Sequence, residues 1–298
     1  MTLLVEEPGP FLLVQDHGRS GSSHLGVPPS GALDPEALAL ANRLVGNGPE
    51  AAGLEILLGG VRMRAQQATR IAVTGAQVGV TVAGRSVAWG ASVSVRADEL
   101  VEISAARDGI RSWLAVAGGI DVPAVLGSRS TDTLTGLGPD PIGAGARLAT
   151  GVAARPPTEA EETDAVAANA VPRARPEVLE LPLRLGPRED WFTDAAVELL
   201  LRQEYAVDPD SNRTALRLAA EGRLERRRPE ELPSEGIVTG AVQVPASGQP
   251  LVFLADHPVT GGYPVVGVVS PESLASCAQA RPGDRVRFRR SRPPRRRS

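Results

Sequence analysis

Three stretches of the chain collect the side chains that can do chemistry. The first, Gln15–Glu55, opens with a polar loop at Gly18–Ser23 that carries a single arginine, Arg19, and continues into a turn at Val27–Gly31 (VPPSG) that carries Ser30. The second, Gly118–Thr133 (GGIDVPAVLGSRSTDT), offers Arg129, Ser130, Thr131 and Asp132 side by side. The third, Ala255–Pro264 (ADHPVTGGYP), holds Asp256, Thr260, Gly261, Gly262 and Tyr263. Two consecutive glycines let a backbone come close to a ligand, and Thr260 adds a hydroxyl beside their N–H groups. Asp256 is placed to act as a base or to orient a substrate amine; Tyr263 can donate a hydrogen bond or stack. A connection as long and structureless as the one that opens the first stretch is usually a binding or catalytic loop.

These side chains need elements to hold them. Asp34–Gly46 reads as a helix with both ends marked: Asp34 suits the N-cap, Pro35 the first helical position and Gly46 the left-handed residue past the end. Leu38, Ala41 and Val45, with Leu44 beside them, give it one apolar face. Asn42 points the other way, either to the surface or onto a neighbouring loop. Phe11–Gln15 and Leu54–Leu58 read as strands. Short β-rich runs follow at Val61–Ala65, Arg70–Thr74, Val78–Val82, Val87–Trp89, Ser92–Val95, Leu100–Ser104 and Arg111–Val116. Many short strands with glycine-rich turns point to a barrel or sandwich rather than a parallel α/β sheet.

Val152–Pro176 is rich in alanine, proline and acid (TEAEETD) and too poor in apolar residues to offset its ordering entropy. It reads as a linker at 152–176 between a domain at 1–151 and a second at 177–288. The second half reads as a strand at Val178–Leu185, then a helix capped by Thr193 with Val197, Leu200 and Leu201 on one face. Ser211-Asn212-Arg213 forms a polar turn; strands follow at Ile237–Pro245, Leu251–Leu254, Pro264–Val269 and Arg285–Phe288. A short helix is expected at Pro271–Gln279, capped by Ser270. The tail, 289–298, is arginine- and proline-rich and reads as a solvated disordered end, with nucleic-acid contact as the alternative. VPPSG at Val27–Gly31 is echoed by VPASG at Val244–Gly248, a hint that the halves share an ancestor.

Composition narrows the function. The chain has 298 residues, 42% hydrophobic and 22% charged, which suits a globular protein. Aromatic residues are only 3%, so the core is expected to be built from Leu, Val, Ile and Ala. All 32 Lys+Arg residues are arginine, which excludes a phosphate-loop lysine, a Schiff-base lysine and a covalently biotinylated lysine on this chain. The net charge of −3 gives no global pull toward nucleic acid or a membrane. The single cysteine, Cys277, excludes an internal disulfide or a cysteine metal cluster and is expected to be a buried spectator. No apolar run is long enough to span a bilayer. The N-terminus, acidic and without a basic start, does not look like a signal peptide, so a cytoplasmic location is expected.

Gln15–Glu55, Ala115–Thr131, Ser234–Pro245 and Ala255–Pro264, four separated motifs in one order, resemble the family known as allophanate hydrolase subunit 2, as Kip-antagonist-like protein or as the C subunit of bacterial 5-oxoprolinase. The same module is similar to part of the carboxyltransferase domain of urea carboxylase. The resemblance implies a mainly β fold of two cyclophilin-like β-barrel domains with a few short helices. It implies a sister subunit resembling allophanate hydrolase subunit 1, a third 5-oxoprolinase subunit, and ATP-driven opening of 5-oxoproline to glutamate, with magnesium accompanying the ATP. Such a step needs arginines and backbone amides around developing phosphate charge. Catalysis is accordingly expected from Asp256, Arg129 and Asp34. Binding of substrate or nucleotide is expected from Arg19, Ser30, Thr131, Thr260, Gly261, Gly262 and Tyr263, with no protein metal ligands. The sequence departs from a common form of the family, which has glutamine and threonine where His257-Pro258-Val259 stand.

Each residue also has a plainer reading. Arg19 can be a solvated loop arginine, Asp34 a helix cap and Tyr263 part of a tight turn. His17, His24 and His257 lack metal spacing and read as hydrogen-bonded structural histidines. A biotin-dependent carboxyltransferase half-site and a non-catalytic regulator that binds a kinase-inhibitor-like partner remain the alternative functions.

Overall fold

The computed structural model describes residues 2–153, 176–228, 230 and 232–291. It divides the chain into two compact units: Met1–Ser20 with Ser30–Arg175, and Gly21–Pro29 with Pro176–Ser298. The expected linker falls almost wholly on 154–175, outside the described residues.

The first unit is built from β1 (Thr2–Pro8), β2 (Phe11–Gln15), α1 (Pro35–Leu44), β3 (Gly53–Leu57), β4 (Val61–Ala65), β5 (Thr69–Gln77), β6 (Val80–Val82), β7 (Arg85–Val87), β8 (Val93–Val95), β9 (Leu100–Ile103), β10 (Asp108–Val116) and β11 (Arg147–Ala149). They make a six-stranded sheet, β11-β1-β4-β9-β6-β7, and a five-stranded sheet, β2-β3-β10-β5-β8. The alternation in β4 shows why the layers form. Val61, Met63 and Ala65 are buried, whereas Arg62 and Arg64 face outward and pair with Glu7 and Glu6 at 2.9 and 2.8 Å. The core joins Leu3, Val5 and Met63 from one sheet to Leu12, Val14, Ile56 and Leu114 from the other. β1 and β11 have no counterpart in the strands expected from the sequence; β1 has a register shift between Val5 and Glu7 that interrupts its alternation.

β10 is buried nearly along its length because its second face is also covered. There α1 lays Leu40, Ala41, Leu44 and Val45 on Ala72 and Ala115, and the Thr74 hydroxyl donates to the Ala37 carbonyl at 2.7 Å. On that helix-side face Glu55 and Arg111 form a buried ion pair at 3.3 Å.

The second unit is a closed seven-stranded barrel. Its strands are β12 (Val178–Leu185), β13 (Tyr205–Val207), β14 (Ala215–Ala219), β16 (Ala241–Gln243), β17 (Leu251–Phe253), β19 (Val265–Val269) and β20 (Arg285–Arg290), and β15 (Glu235–Gly236) with β18 (Thr260–Gly261) form a separate two-stranded ribbon. Closure is made by β12, which pairs parallel with β20 and antiparallel with β19. Mainly β architecture with short helices thus holds for the described residues. The closed barrel is in the second unit, while the first keeps two distinct sheets around one core. Thr193 caps α2 (Asp194–Arg202) as expected, accepting from Ala196 N–H. The helix at the end of the chain starts with a 3-10 turn at Pro271–Ser273 and continues as α3 (Leu274–Gln279); the Ser270 side chain bonds Glu272 rather than a helix N–H.

One boundary needs correction. β20 runs two residues past the expected end at Phe288, because Arg289 is neutralised across the sheet by Glu180, its Nε donating at 2.9 Å. The rest of the expected tail, 292–298, lies outside the described residues. Among the described residues no helix is long and apolar enough to cross a membrane.

Candidate functional site

In the first unit the end of β2 and the loop after β10 are tied together by one carboxylate. Asp16, directly after β2, is 7% exposed. Its Oδ1 accepts from the Gly18 N–H at 2.8 Å and from the Ser128 and Ser130 hydroxyls at 2.6 Å each; its Oδ2 accepts from the Arg129 N–H at 2.6 Å. The two loops are also joined by the Asp16 N–H donating to Ser130 Oγ at 2.9 Å and by Gln15 Nε2 donating to the Thr131 carbonyl at 2.8 Å. A buried carboxylate needs donors to replace its water, and here all are neutral hydroxyls and amides.

Arg19 is not a solvated loop residue. It is 1% exposed, its Nη2 donates to the Ser130 carbonyl at 2.5 Å and its Nε to the Val125 carbonyl at 3.4 Å. Its Nη1 is buried with no hydrogen-bond partner among the described residues. Gly138, at φ +88°, is packed so close that a Cβ there would lie 2.1 Å from the Ser130 carbonyl and 3.2 Å from Arg19 Nη2.

Ser30 and Thr131 meet in the same place. Ser30 holds a left-handed φ of +51°, and its hydroxyl donates to the Thr131 carbonyl at 3.2 Å. The following residue must be glycine: at φ +89°, a Cβ on Gly31 would stand 2.8 Å from Gly18 N and 2.9 Å from the His17 carbonyl carbon. Thr131 donates its hydroxyl to the Pro139 carbonyl at 2.9 Å. Strain at a non-glycine residue is a recurrent mark of binding loops.

Arg129 is the cation of this cluster that reaches outward. Its backbone is held by Asp16, its side chain is 43% exposed, and its Nη2 lies 3.4 Å from the exposed Asp121 carboxylate; a pair so exposed holds weakly. Its Nε has no partner among the described residues. Asp34 has the cap role: its Oδ1 accepts from Ala37 N–H at 3.0 Å. Asn42 bonds the neighbouring loop, donating to the Ala51 carbonyl at 2.7 Å and accepting from Asn47. Of the residues expected from the sequence, Arg19, Ser30, Arg129 and Thr131 come together in one cluster. Asp16, Gln15 and Ser128, which organise it, carry no local signal that singles them out. A shallow groove of about 410 Å³ on this unit is lined by His17, Pro35, Glu36, Ala39 and Arg43 and by none of those four.

In the second unit Asp256 lies in the interior. It is 0% exposed. Arg213 Nε donates to its Oδ2 at 2.9 Å and Arg213 Nη2 to its Oδ1 at 3.0 Å, while the Asp256 N–H bonds the Arg213 carbonyl at 3.1 Å. Both carboxylate oxygens are held by a buried arginine, so this residue ties the turn before β14 to the loop after β17. His257, 4% exposed, donates from Nδ1 to the Pro258 carbonyl at 2.8 Å. Burial pushes its pKa down from the ordinary value. Thr260, Gly262 and Tyr263 stand at the surface. The Arg226 guanidinium lies 5.5 Å over the Tyr263 ring, and β15 is braced by Glu235 accepting from Arg188 Nε at 3.1 Å. Gly261 has no room for a side chain, since a Cβ would sit 2.6 Å from Ile237 Cδ1. Cys277 is buried, its thiol pushed up to about 12, as suits a spectator.

The chain is similar to several known proteins. A family described as "Carboxyltransferase domain, subdomain A and B" matches residues 25–290. The chain is 35% identical over 289 residues to the C subunit of 5-oxoprolinase from Escherichia coli (strain K12), covering 96% of this chain and 90% of that protein. It is 30% identical over 310 residues to urea amidolyase of Lachancea kluyveri, covering 95% of this chain but 16% of that one. Among solved structures, urea amidolyase of K. lactis superposes with a TM-score of 0.88 at 28% identity, over 96% of this chain and 18% of that chain. TTHA0988 superposes with a TM-score of 0.82 at 36% identity, over 96% of this chain and 55% of that chain.

Proposed function

The chain belongs to the carboxyltransferase-domain family, subdomains A and B, and from that membership we propose that it is one subunit of an ATP-dependent 5-oxoprolinase whose active site is completed by a sister subunit. The observation that carries this is similarity: the chain is 35% identical over 289 residues to the C subunit of 5-oxoprolinase from Escherichia coli and 31% identical over 281 residues to that of Haemophilus influenzae.

A lactam is a poor electrophile; phosphorylating its oxygen makes it one that water can attack. ATP, consumed as a co-substrate, supplies that phosphoryl group. This chain's task is to place positive charge and N–H donors where charge develops. Arg129 supplies a half-exposed guanidinium whose backbone is fixed by Asp16. Arg19 and Ser30 hold that loop from beneath through the Ser130 and Thr131 carbonyls. Among the described residues no group of three or more His, Cys, Asp or Glu is arranged to hold a metal, and no step of this scheme is routed through one.

A second reading has its own support. The family description and the urea amidolyase relatives point to transfer of a carboxyl group; without lysine, this chain would have to receive it from biotin on another protein. Reconstitution separates the two. The purified chain, its sister subunit and the third subunit together should release glutamate and phosphate only when both ATP and 5-oxoproline are present. Turnover by the single chain, or bicarbonate- and biotin-dependent turnover of urea in place of 5-oxoproline, overturns the proposal.

A further inference from the structure

Two arginines are buried in the first unit, and they are compensated differently. Arg111 is paired with Glu55 at 3.3 Å. Arg19, 1% exposed, donates to two carbonyls, from Nη2 to Ser130 and from Nε to Val125, and its Nη1 has no partner among the described residues. The buried carboxylates of the same two loops are committed elsewhere. Asp16 accepts from the Gly18 and Arg129 amides and from two serine hydroxyls. Asp132 accepts from the Leu134 and Thr135 N–H groups at 2.9 and 3.3 Å and from the Thr135 hydroxyl.

A guanidinium stays charged in proteins, and taking a charge out of water is costly unless an opposite charge meets it. A water completes a neutral group such as Gln15 Oε1, which is buried and also without a partner among the described residues. It does not cancel a charge. The group that suits Nη1 is an anion, and carboxylate and phosphate oxygens are the acceptors a guanidinium fits best.

The turn beside Arg19 gives such an ion a way in. Gly138 packs against the guanidinium, with room for no side chain between them and the Ser130 carbonyl. It ends the turn Asp132–Gly138, in which residues 133–136 are exposed. That turn is closed by bonds within itself: the Asp132 N–H donates to the Leu137 carbonyl at 2.9 Å, the Gly136 N–H to the Asp132 carbonyl at 3.0 Å, and the Asp132 carboxylate holds Leu134 and Thr135. A turn braced internally can lift as a unit.

We propose that Arg19 is an oxyanion-binding residue, its Nη1 receiving the carboxylate of the substrate or a phosphoryl group of the nucleotide beneath the Asp132–Gly138 turn. The proposal rests on the 5-oxoprolinase reading above and adds which buried cation takes a ligand's negative charge. Arg129, which reaches outward, keeps its separate task.

The test crystallises the purified full chain with selenate, a tetrahedral oxyanion located by its anomalous scattering, and then with selenate plus 5-oxoproline or plus ATP. Selenate within hydrogen-bond distance of Arg19 Nη1 is the expected result. Displacement by 5-oxoproline assigns the substrate carboxylate; displacement by ATP assigns a phosphoryl group. Absence of selenate from Nη1 at saturating concentration overturns the proposal and leaves the multi-subunit reading intact. Selenate that neither compound displaces is an adventitious ion only, and overturns it too. In solution, Arg19→Gln should bind the displacing compound at least tenfold more weakly than the natural chain by calorimetry at constant ionic strength, and equal binding overturns the proposal. Should that variant fail to fold, the selenate maps of the natural chain decide alone. Failure of the reconstituted assembly to turn over 5-oxoproline overturns the 5-oxoprolinase reading, and is read independently of those maps.

Discussion

Asp16 in the first unit and Asp256 in the second are both buried carboxylates, yet they are compensated in opposite ways. Asp256 is matched by a full charge, the Arg213 guanidinium, across two near-ideal hydrogen bonds. Asp16 is matched by two hydroxyls and two amides, while the buried cation of the same loop, Arg19, is satisfied by carbonyls and keeps Nη1 unpartnered among the described residues. The first arrangement is a closed charge pair. The second holds a carboxylate and a cation on separate neutral partners beside an outward-facing arginine. Of two polar loops that look alike in sequence, one is a fastener and the other, on the reading proposed above, a prepared surface.

The comparison can be broken most forcefully at the fastener. Removing one member of a buried pair leaves the other charged and alone, which costs about 3–5 kcal/mol. Arg213→Ala and Asp256→Ala should each lower the melting temperature steeply, and the Arg213→Leu, Asp256→Leu double variant should lose much less than the two singles added together. Additive losses would mean the pair is not the coupled unit described. At the prepared surface, Asp16→Asn keeps shape but exchanges an acceptor for a donor among four donors. Hydrogen bonds to a charged group are worth about 1.5–3 kcal/mol each net, but relaxation of the hydroxyls should return part of that. Chemical denaturation should show a loss smaller than that of Asp256→Ala; a larger one would reverse the ranking.

A pH titration sharpens the contrast further. His257 adjoins Asp256, and burial lowers its pKa below the ordinary 6.5. The unfolded chain therefore takes up this proton first as pH falls, so stability from the neutral imidazole is complete above about 6.5 and is lost below it. His257→Gln should flatten the melting temperature between about pH 7 and 5, and an unchanged slope would remove His257 from the account. The smallest effect on stability is expected at Asp34, whose Oδ1 caps α1: Asp34→Ala should cost about 1 kcal/mol, read by chemical denaturation.

Much of this is legible in the residues. β2, β4 and β12 match their expected bounds to the residue because Phe11–Gln15, Val61–Ala65 and Val178–Leu185 are dense in β-formers and sharply bounded. The helix over Pro35–Leu44 announces itself through its cap and proline. The polar character of the Arg19 loop and of the Arg129 loop is plain from their composition, but not that the two meet. What stays hidden depends on contacts distant in sequence. Arg213 and Asp256 are separated by 43 residues, and the bonds from Asp16 to Ser128 and Ser130 span 112 and 114. No local pattern tells a buried, paired carboxylate from an exposed reactive one, which is why Asp256 looks chemical in the sequence and Asp16 does not stand out. β1 and β11 escape because an irregular register and a three-residue length leave too little alternation.

The most direct test of the account takes one preparation of Arg129→Ala in complex with the sister and third subunits and measures both its melting temperature and its 5-oxoproline-dependent phosphate release. Loss of an oxyanion-stabilising donor typically lowers turnover by about a hundred- to a thousandfold. That loss, with melting unchanged, is the predicted result. Undiminished turnover, or a fall in melting temperature that accounts for the lost activity, would contradict it.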